Sequence, residues 1–320
     1  MGICDRLRGR LALAPGVLDA ARSDFAPATG DAGRRLDEVV DAFAHGYNAV
    51  LRGGYDAAEL PAGLRGFGYE GAAMSSALLD LMTVSRGRRL HELAGGDGAG
   101  HIHLINVGAG WAYARMRLRP WWTVRADAAP GEQGVGTPLL RWLAWDGWGF
   151  HRAFFAPRRV FIEHAVGPPR VRRICDQGAG RALWFYAGAD PDRIGDVING
   201  FPGVRRPDLW AGVALAAAYT GAQPADVLAV LAERAAAHRP HIAQGAAFAA
   251  KAHLLAGEMP EASATAVRVL TGVEPGVAAR WADDALAASI GGPDSPTGYE
   301  GWRGGIRHAW TRKNERQTVG

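Results

Sequence analysis

The chain has 320 residues, 48% of them hydrophobic and 21% charged, which allows a large buried core and excludes large-scale disorder. Its formal net charge of +4 is small and is not gathered into long basic runs, which argues against a nucleic-acid partner. Two cysteines, Cys4 and Cys175, exclude a disulfide framework and favour a reducing, cytoplasmic location. The sequence predicts neither a signal peptide nor a membrane span, since no apolar stretch reaches ~20 residues.

The elements predicted in chain order divide the sequence into three parts. Residues 1–35 are predicted as a partly extended lead-in, 36–290 as a helical repeat domain, and 291–320 as a loosely attached tail. His101–Val107 has the β-branched content of a strand, but we interpret it as the start of a helix because it leads into a repeat core. The Pro, Gly and acidic residues of 120–136 predict an exposed loop.

Helix starts marked by Pro or Asp and helix ends marked by Gly are most regular in the C-terminal half. Asp208 is a candidate N-cap and Gly188 a candidate C-cap. The pattern predicts helices over about 33–51, 172–187, 191–199, 207–219, 224–237, 241–255 and 260–271.

Glycine-centred segments recur along the chain, roughly 35 residues apart. They are centred on Gly71, Gly108, Gly147, Gly178, Gly212 and Gly245, with an earlier candidate at Gly46. Small residues around each glycine let two helices approach closely, and this period is typical of helical hairpins. The predicted fold class is all-α, built of helical-hairpin repeats as a tetratricopeptide-like solenoid or an α/α toroid. Of these two we favour the open solenoid.

The stretch Gly66-Phe67-Gly68-Tyr69-Glu70-Gly71 matches the G-x-G-x-x-G fingerprint of dinucleotide-binding turns. That fingerprint requires a preceding strand, and residues 56–63 have no strand pattern. Further G-x-G pairs occur at Gly108/Gly110, Gly147/Gly149 and Gly178/Gly180. We therefore interpret these glycines as a packing element, and no cofactor is predicted.

A polar residue stands just before most of the repeat glycines. The set comprises Glu70, Asn106, Asp146, Asp176 with Gln177, and Gln244. One interpretation is helix capping or hydrogen bonding between repeats, because buried carboxylates must be satisfied. The other is a polar rim on a cavity, where neighbouring carboxylates have raised pKa values and act in acid/base chemistry.

The candidate catalytic residues are Glu70, Asp146, His151 and Asp176. His151 follows Asp146 by about one helical turn and forms the best local acid/base pair, with simple packing as the alternative. His101 and His103 have the spacing of two metal ligands on a strand, but no Cys or carboxylate partner lies nearby. No metal site is predicted.

The chain contains eleven tryptophans, several of them within or beside the glycine repeats. Large aromatic side chains facing Gly and Ala usually indicate core packing, and the alternative is an aromatic pocket for a long apolar ligand. Arg181 can bind an acidic ligand or pair with Asp176. The candidate substrate-binding residues are Trp111, Trp148, Arg181, Trp184 and Trp210.

Six ordered blocks lie within roughly residues 20–288, namely FGYEGAAM, VGAGWAYAR, LLRWLAWDGWGFH, DQGAGRALWF, RRPDLWAGVALAAAYTG and AQGAAFAAKA. Together they resemble the UnbL-type domain-of-unknown-function family, which is encoded beside enediyne polyketide synthases. The resemblance implies an accessory role in making an enediyne or related polyketide. It transfers no catalytic residue to this sequence.

Two functional hypotheses remain open from the sequence. The first is an enzyme that binds a hydrophobic polyene or polyketide-derived small molecule and catalyses a cyclisation, isomerisation or similar acid/base step. The second is a non-catalytic repeat scaffold whose concave face binds another protein of the same pathway.

Overall fold

A computed structural model of the chain describes residues 8–14, 16–83, 85–121, 138–165, 167–289 and 294–318. Within these ranges the chain forms helices and no strands, which confirms the predicted all-α class. The α-helices are α1 (Val17–Ala21), α2 (Gly30–Arg52), α3 (Ala62–Thr83), α4 (Arg88–Leu93), α5 (Ile102–Arg115), α6 (Leu143–Phe155), α7 (Arg172–Tyr186), α8 (Pro191–Gly200), α9 (Arg206–Thr220), α10 (Ala225–Arg234), α11 (Arg239–Leu255), α12 (Glu261–Thr271), α13 (Pro275–Ser289) and α14 (Pro296–Thr318).

Most helix boundaries follow the capping signals of the sequence. The segment His101–Val107 leads into α5, as the helical interpretation requires, and Gly188 has a φ of 63° just after α7. Asp208 is not an N-cap, because its buried carboxylate instead pairs with Arg303. Most of the predicted loop at 120–136 lies outside the described residues.

The helices form an inner and an outer layer. In the inner layer α2, α3, α5, α6, α7, α9 and α11 each pack against the next member of the series. In the outer layer α8, α10 and α12 pack against one another and against inner helices. Inner helices are buried on nearly all sides; in α9, almost every residue from Asp208 to Thr220 is buried.

The repeat glycines set the spacing of the inner helices. A Cβ added to Gly178 would lie 1.9 Å from the carbonyl oxygen of Asp146, the residue before the previous repeat glycine. The same contact recurs at four other positions, at 1.9–2.1 Å, between successive inner helices. Those pairs are Gly108 with Glu70, Gly147 with Val107, Gly212 with Gln177, and Gly245 with Ala211. Any larger residue at these positions would push two backbones apart.

In the three G-x-G pairs that end at Gly110, Gly149 and Gly180, the second glycine packs in the opposite direction, against the next inner helix. Gly149 faces the carbonyl of Cys175 on α7, whereas Gly147 faces α5. Residues two apart on a helix point about 200° apart, so one pair serves both neighbours. The fingerprint at Gly66–Gly71 lies inside helix α3 rather than at a strand-to-helix turn. This confirms the interpretation of these glycines as packing elements.

The inner helices form a closed ring, because α9 contacts both α2 and α3. Arg35 of α2 donates from Nε to the carbonyl of Thr220 at the end of α9, at 2.9 Å. Gly66 of α3 leaves room for the hydroxyl of Tyr219, since a Cβ there would lie 2.0 Å from that oxygen. The preference for an open solenoid was therefore wrong, and the closed, toroid-like alternative describes the chain.

The C-terminal segment is part of the core, contrary to the prediction of a loosely attached tail. Helix α14 buries Tyr299, Trp302, Arg303 and Ile306 almost completely. Trp302 packs against Phe248 of α11, and the buried ion pair of Arg303 with Asp208 ties α14 to α9.

None of the described helices is both long enough and apolar enough to cross a membrane.

Candidate functional site

A buried ionic cluster lies at the centre of the ring. Arg181 of α7 donates to Asp146 at 2.7 Å and to the two oxygens of Glu70 at 3.3 and 3.4 Å. Trp111 donates from Nε1 to Oε1 of Glu70 at 3.0 Å, and Gln177 donates to the second oxygen of Asp146 at 2.8 Å. These hydrogen bonds connect four inner helices, α3, α5, α6 and α7.

The glycine repeat explains why these side chains meet. Glu70, Asp146, Gln177 and Gln244 each precede a repeat glycine, so the common packing register brings them to corresponding positions on successive helices. Gln244 donates to Gln177 at 3.1 Å and accepts from Arg303 at 3.3 Å. The inter-repeat hydrogen bonds expected from the sequence are therefore present, and they continue to α14.

The first chamber is an apolar cavity of about 40 Å³ beside Glu70 and Arg181. It is lined by six of the seven inner helices, α2, α3, α5, α6, α7 and α9, together with Leu18 of α1. Its aromatic lining consists of Phe43, Phe67, Trp111, Phe150, Phe154, Phe185 and Tyr219. A volume of this size holds about two or three water molecules.

The second chamber, also about 40 Å³, lies against Asp146 and Arg181. It shares Arg181, Leu215 and Tyr219 with the first chamber, so these three side chains form the wall between them. Its other lining residues are His103, Leu104, Val107, Leu143, Phe248, Ala249, Ala252 and Trp302.

The central cluster holds one positive and two potential negative charges. Burial raises the pKa of Glu70, and the charge of Asp146 acts in the same direction, against Arg181 and Trp111. Burial alone would lower the pKa of Arg181, but the charges of Glu70 and Asp146 outweigh it and raise that pKa. Arg181 therefore stays charged, while Glu70 is biased towards its protonated form.

His151 does not pair with Asp146. Five residues along a helix correspond to a rotation of about 140° from the starting side chain, so the two residues leave α6 in different directions. The His151 ring lies against Phe155 and Trp111, with centroid distances of 4.6 and 5.7 Å. Burial, followed by the charges of Arg115 and Arg152, lowers the pKa of His151 to about 3.

Asp176 lies apart from Glu70 and Asp146 and lines neither chamber. It accepts two hydrogen bonds from Arg205, at 2.6 and 3.0 Å, rather than pairing with Arg181. Burial raises the pKa of Asp176, and Arg205 opposes this shift. The arrangement is that of a buried structural ion pair.

Among the aromatic candidates, Trp111 lines the first chamber, whereas Trp148, Trp184 and Trp210 line neither. Trp148 donates to the carbonyl of Leu118 at 3.0 Å, and Trp184 donates to the hydroxyl of Thr220 at 3.1 Å. Trp210 is buried in α9. The structure gives these three side chains the contacts of core packing.

We expect Trp184→Phe to lower the free energy of unfolding by about 1–2 kcal/mol, because a fully buried hydrogen bond is lost and Thr220 keeps only its bonds within α9. Urea denaturation measures this change. The affinity of the first chamber for a ligand should remain within twofold of the wild-type value. A larger loss of affinity would show that Trp184 contributes directly to the site.

Two cavity residues were missed as site candidates in the sequence. Tyr219 follows a run of alanines and carries no motif, although it lines both chambers and stacks on His253 at 4.2 Å. His103 was weighed only as a metal ligand. Among the described residues, no three His, Cys, Asp or Glu side chains are grouped closely enough to hold a metal ion.

Comparison with known proteins adds a family but no described activity. No curated protein and no solved structure matched the chain. A family model described as "Protein of unknown function (DUF1702)" matches residues 5–310, nearly the whole sequence. The chain therefore belongs to this family.

Proposed function

We propose that the protein is an enzyme that isomerises or cyclises a hydrophobic polyene by acid/base chemistry, with Glu70 as the proton donor. The observation that carries this proposal is a carboxyl group, 3% exposed, at the wall of an apolar chamber lined by aromatic rings. A protonated carboxyl in such a place can act as a general acid near neutral pH.

The hydrogen bonds of Glu70 leave one oxygen available for the proton. Oε1 accepts from both Trp111 and Arg181, while Oε2 has only the long 3.4 Å contact to Arg181. A proton on Oε2 therefore keeps the Trp111 bond intact. The raised pKa of Glu70 is consistent with this protonated form.

In the proposed step, the O–H bond of Glu70 breaks and its proton forms a C–H bond at one end of a conjugated double bond. The resulting allylic cation lies among aromatic rings, which stabilise positive charge, with Trp111 and Phe154 among them. The negative charge left on Glu70 also stabilises the cation. Loss of a proton from a neighbouring carbon to Glu70 restores the acid, giving an isomer, or a ring if another double bond attacks first.

Entry of a polyene requires the first chamber to expand, because its present volume matches only a few waters. Helix α1 contributes Leu18 to the lining and has five residues, of which Leu18 alone is buried. An element with so few buried apolar contacts opens at low free-energy cost. We assign the entry route to the space beneath α1.

The polyene substrate also supports a place in the biosynthesis of an enediyne or related polyketide, where linear polyenes are intermediates. The alternative, a scaffold that binds a pathway protein on an open concave face, has less support. The inner helices form a closed ring, and the two chambers and the ionic cluster lie on its concave side, where the scaffold hypothesis places a partner protein.

The test uses 2,4,6-octatriene, a neutral conjugated hydrocarbon, incubated with the protein in D2O. We expect deuterium from the solvent to be incorporated into the triene, and Glu70→Gln to reduce the rate of incorporation by about 100-fold or more. Because burial raises the pKa of Glu70, wild-type turnover should persist at neutral pH and fall as the pH rises through that pKa.

Glu258→Gln is the matched control. Burial also raises the pKa of Glu258, but that residue pairs with Arg65 and lines neither chamber, so its variant should turn over the triene as wild type does. Equal rates for Glu70→Gln and wild type would contradict the proposed acid. Absence of any deuterium uptake by wild type would contradict proton transfer to the polyene.

A further inference from the structure

The second chamber contains a polar atom that nothing in the proposed reaction uses. His103 lines this chamber, and its buried Nδ1 has no hydrogen-bond partner among the described residues. Buried polar groups are nearly always paired with protein, water or a ligand. An unpaired nitrogen in a chamber lined mostly by apolar side chains therefore points to an occupant that supplies the missing hydrogen bond.

His103 faces this chamber as a neutral imidazole. Burial and the charge of Lys251 lower its pKa to about 4, and Lys251 itself pairs with Asp283 at 2.7 Å. A neutral imidazole has one donor and one acceptor nitrogen. A hydroxyl group can accept or donate, so it satisfies Nδ1 in either tautomer.

The other polar groups of the chamber disfavour an anion. Asp146 lines it and already engages Arg181 and Gln177, so no unpaired positive charge is presented to a carboxylate or phosphate. The remaining wall, including Val107 and Phe248, is apolar. The chamber suits the end of a neutral, largely hydrocarbon molecule.

We propose that the second chamber is a subsite for a hydroxylated end of the polyene, with His103 as its hydrogen-bonding partner. The two chambers meet at the shared wall of Arg181, Leu215 and Tyr219, and a shift of the Leu215 and Tyr219 side chains would let one elongated molecule reach Glu70 in the first chamber and His103 in the second. The inference rests on the proposed function and specifies its substrate class as a neutral polyene alcohol.

The experiment compares the affinities of 2,4,6-octatrien-1-ol and 2,4,6-octatriene by isothermal titration calorimetry. In wild type the alcohol should bind roughly three- to tenfold more tightly, the gain expected from one net hydrogen bond. His103→Leu should remove this preference, while His103→Gln, which retains a donor and an acceptor, should keep most of it.

His101→Leu is the matched control. His101 lies two residues away, and its Nδ1 is also buried without a partner, but it stacks on Tyr69 and lines neither chamber. Burial lowers its pKa to about 4 as well. This variant should retain the preference for the alcohol.

Equal affinities in wild type, or a preference that persists in His103→Leu, would overturn the subsite and leave water as the partner of His103. If His103→Leu does not fold, the affinities of the two probes for wild type and for His103→Gln still test the subsite. Deuterium uptake by 2,4,6-octatriene depends on Glu70 and not on a hydroxyl group. If the protein incorporates deuterium into this triene but binds the alcohol no more tightly than the hydrocarbon, the subsite is overturned and the proposed acid is not. If neither probe binds, both the subsite and the proposed polyene chemistry are overturned.

Discussion

Replacing Gly178 with alanine is expected to lower the free energy of unfolding by about 3 kcal/mol or more. The new Cβ would lie 1.9 Å from the carbonyl oxygen and 2.7 Å from the carbonyl carbon of Asp146. Both atoms belong to the backbone of α6, so no side-chain rotation relieves the overlap. Helices α6 and α7 must separate, which also stretches the bond from Arg181 to Asp146. Urea denaturation measures the loss.

The matched control is Gly301→Ala in α14. Gly301 is exposed and helical, and a Cβ added there meets no atom within 4 Å. Alanine is a better helix former than glycine, so this variant should be neutral or stabilised by up to ~1 kcal/mol. If Gly178→Ala were as stable as Gly301→Ala, the repeat glycines would not set the helix spacing.

Replacing Arg181 with methionine is expected to lower the free energy of unfolding by about 3–5 kcal/mol. Methionine fills part of the side-chain volume but leaves two carboxyl groups, Glu70 and Asp146, without their shared counter-charge. Unpaired buried charge is strongly unfavourable. Thermal and urea denaturation at fixed pH measure the change.

The loss in Arg181→Met should depend on pH with a definite sign. Arg181 opposes the raised pKa of Glu70, so its removal raises the folded pKa of Glu70 further above the unfolded value. Stability is then retained at low pH and lost as the pH rises through the folded pKa of Glu70. Adding Glu70→Gln should recover part of the stability at pH 8. A loss that is independent of pH would show that packing, not charge, accounts for the role of Arg181.

Much of the fold follows from short-range sequence signals. Glycines every ~35 residues and Pro, Asp and Gly at helix ends predicted the helical repeat and most helix boundaries. Ring closure was not predictable, because it depends on contacts between distant segments, such as Arg35 with Thr220. The integration of α14 was also missed, since Arg303 appears as an ordinary surface charge until Asp208 is placed beside it.

The candidate site was predictable where it follows the repeat. Glu70 and Asp146 converge because each precedes a packing glycine, and the common register faces both toward Arg181. His151 was chosen by proximity in sequence, and the rotation along α6 separates it from Asp146. Residues outside the repeat pattern, such as Tyr219, needed the three-dimensional arrangement to be identified.

The protonation state of Glu70 is the central claim, and infrared spectroscopy tests it most directly. A difference spectrum between wild type and Glu70→Gln, recorded at neutral pH, isolates the absorption of this one carboxyl group. We expect a C=O stretching band of a protonated carboxylic acid in wild type that is absent in the variant and disappears as the pH rises. A pair of carboxylate bands in its place would show that Glu70 is ionised and would contradict its role as the proton donor.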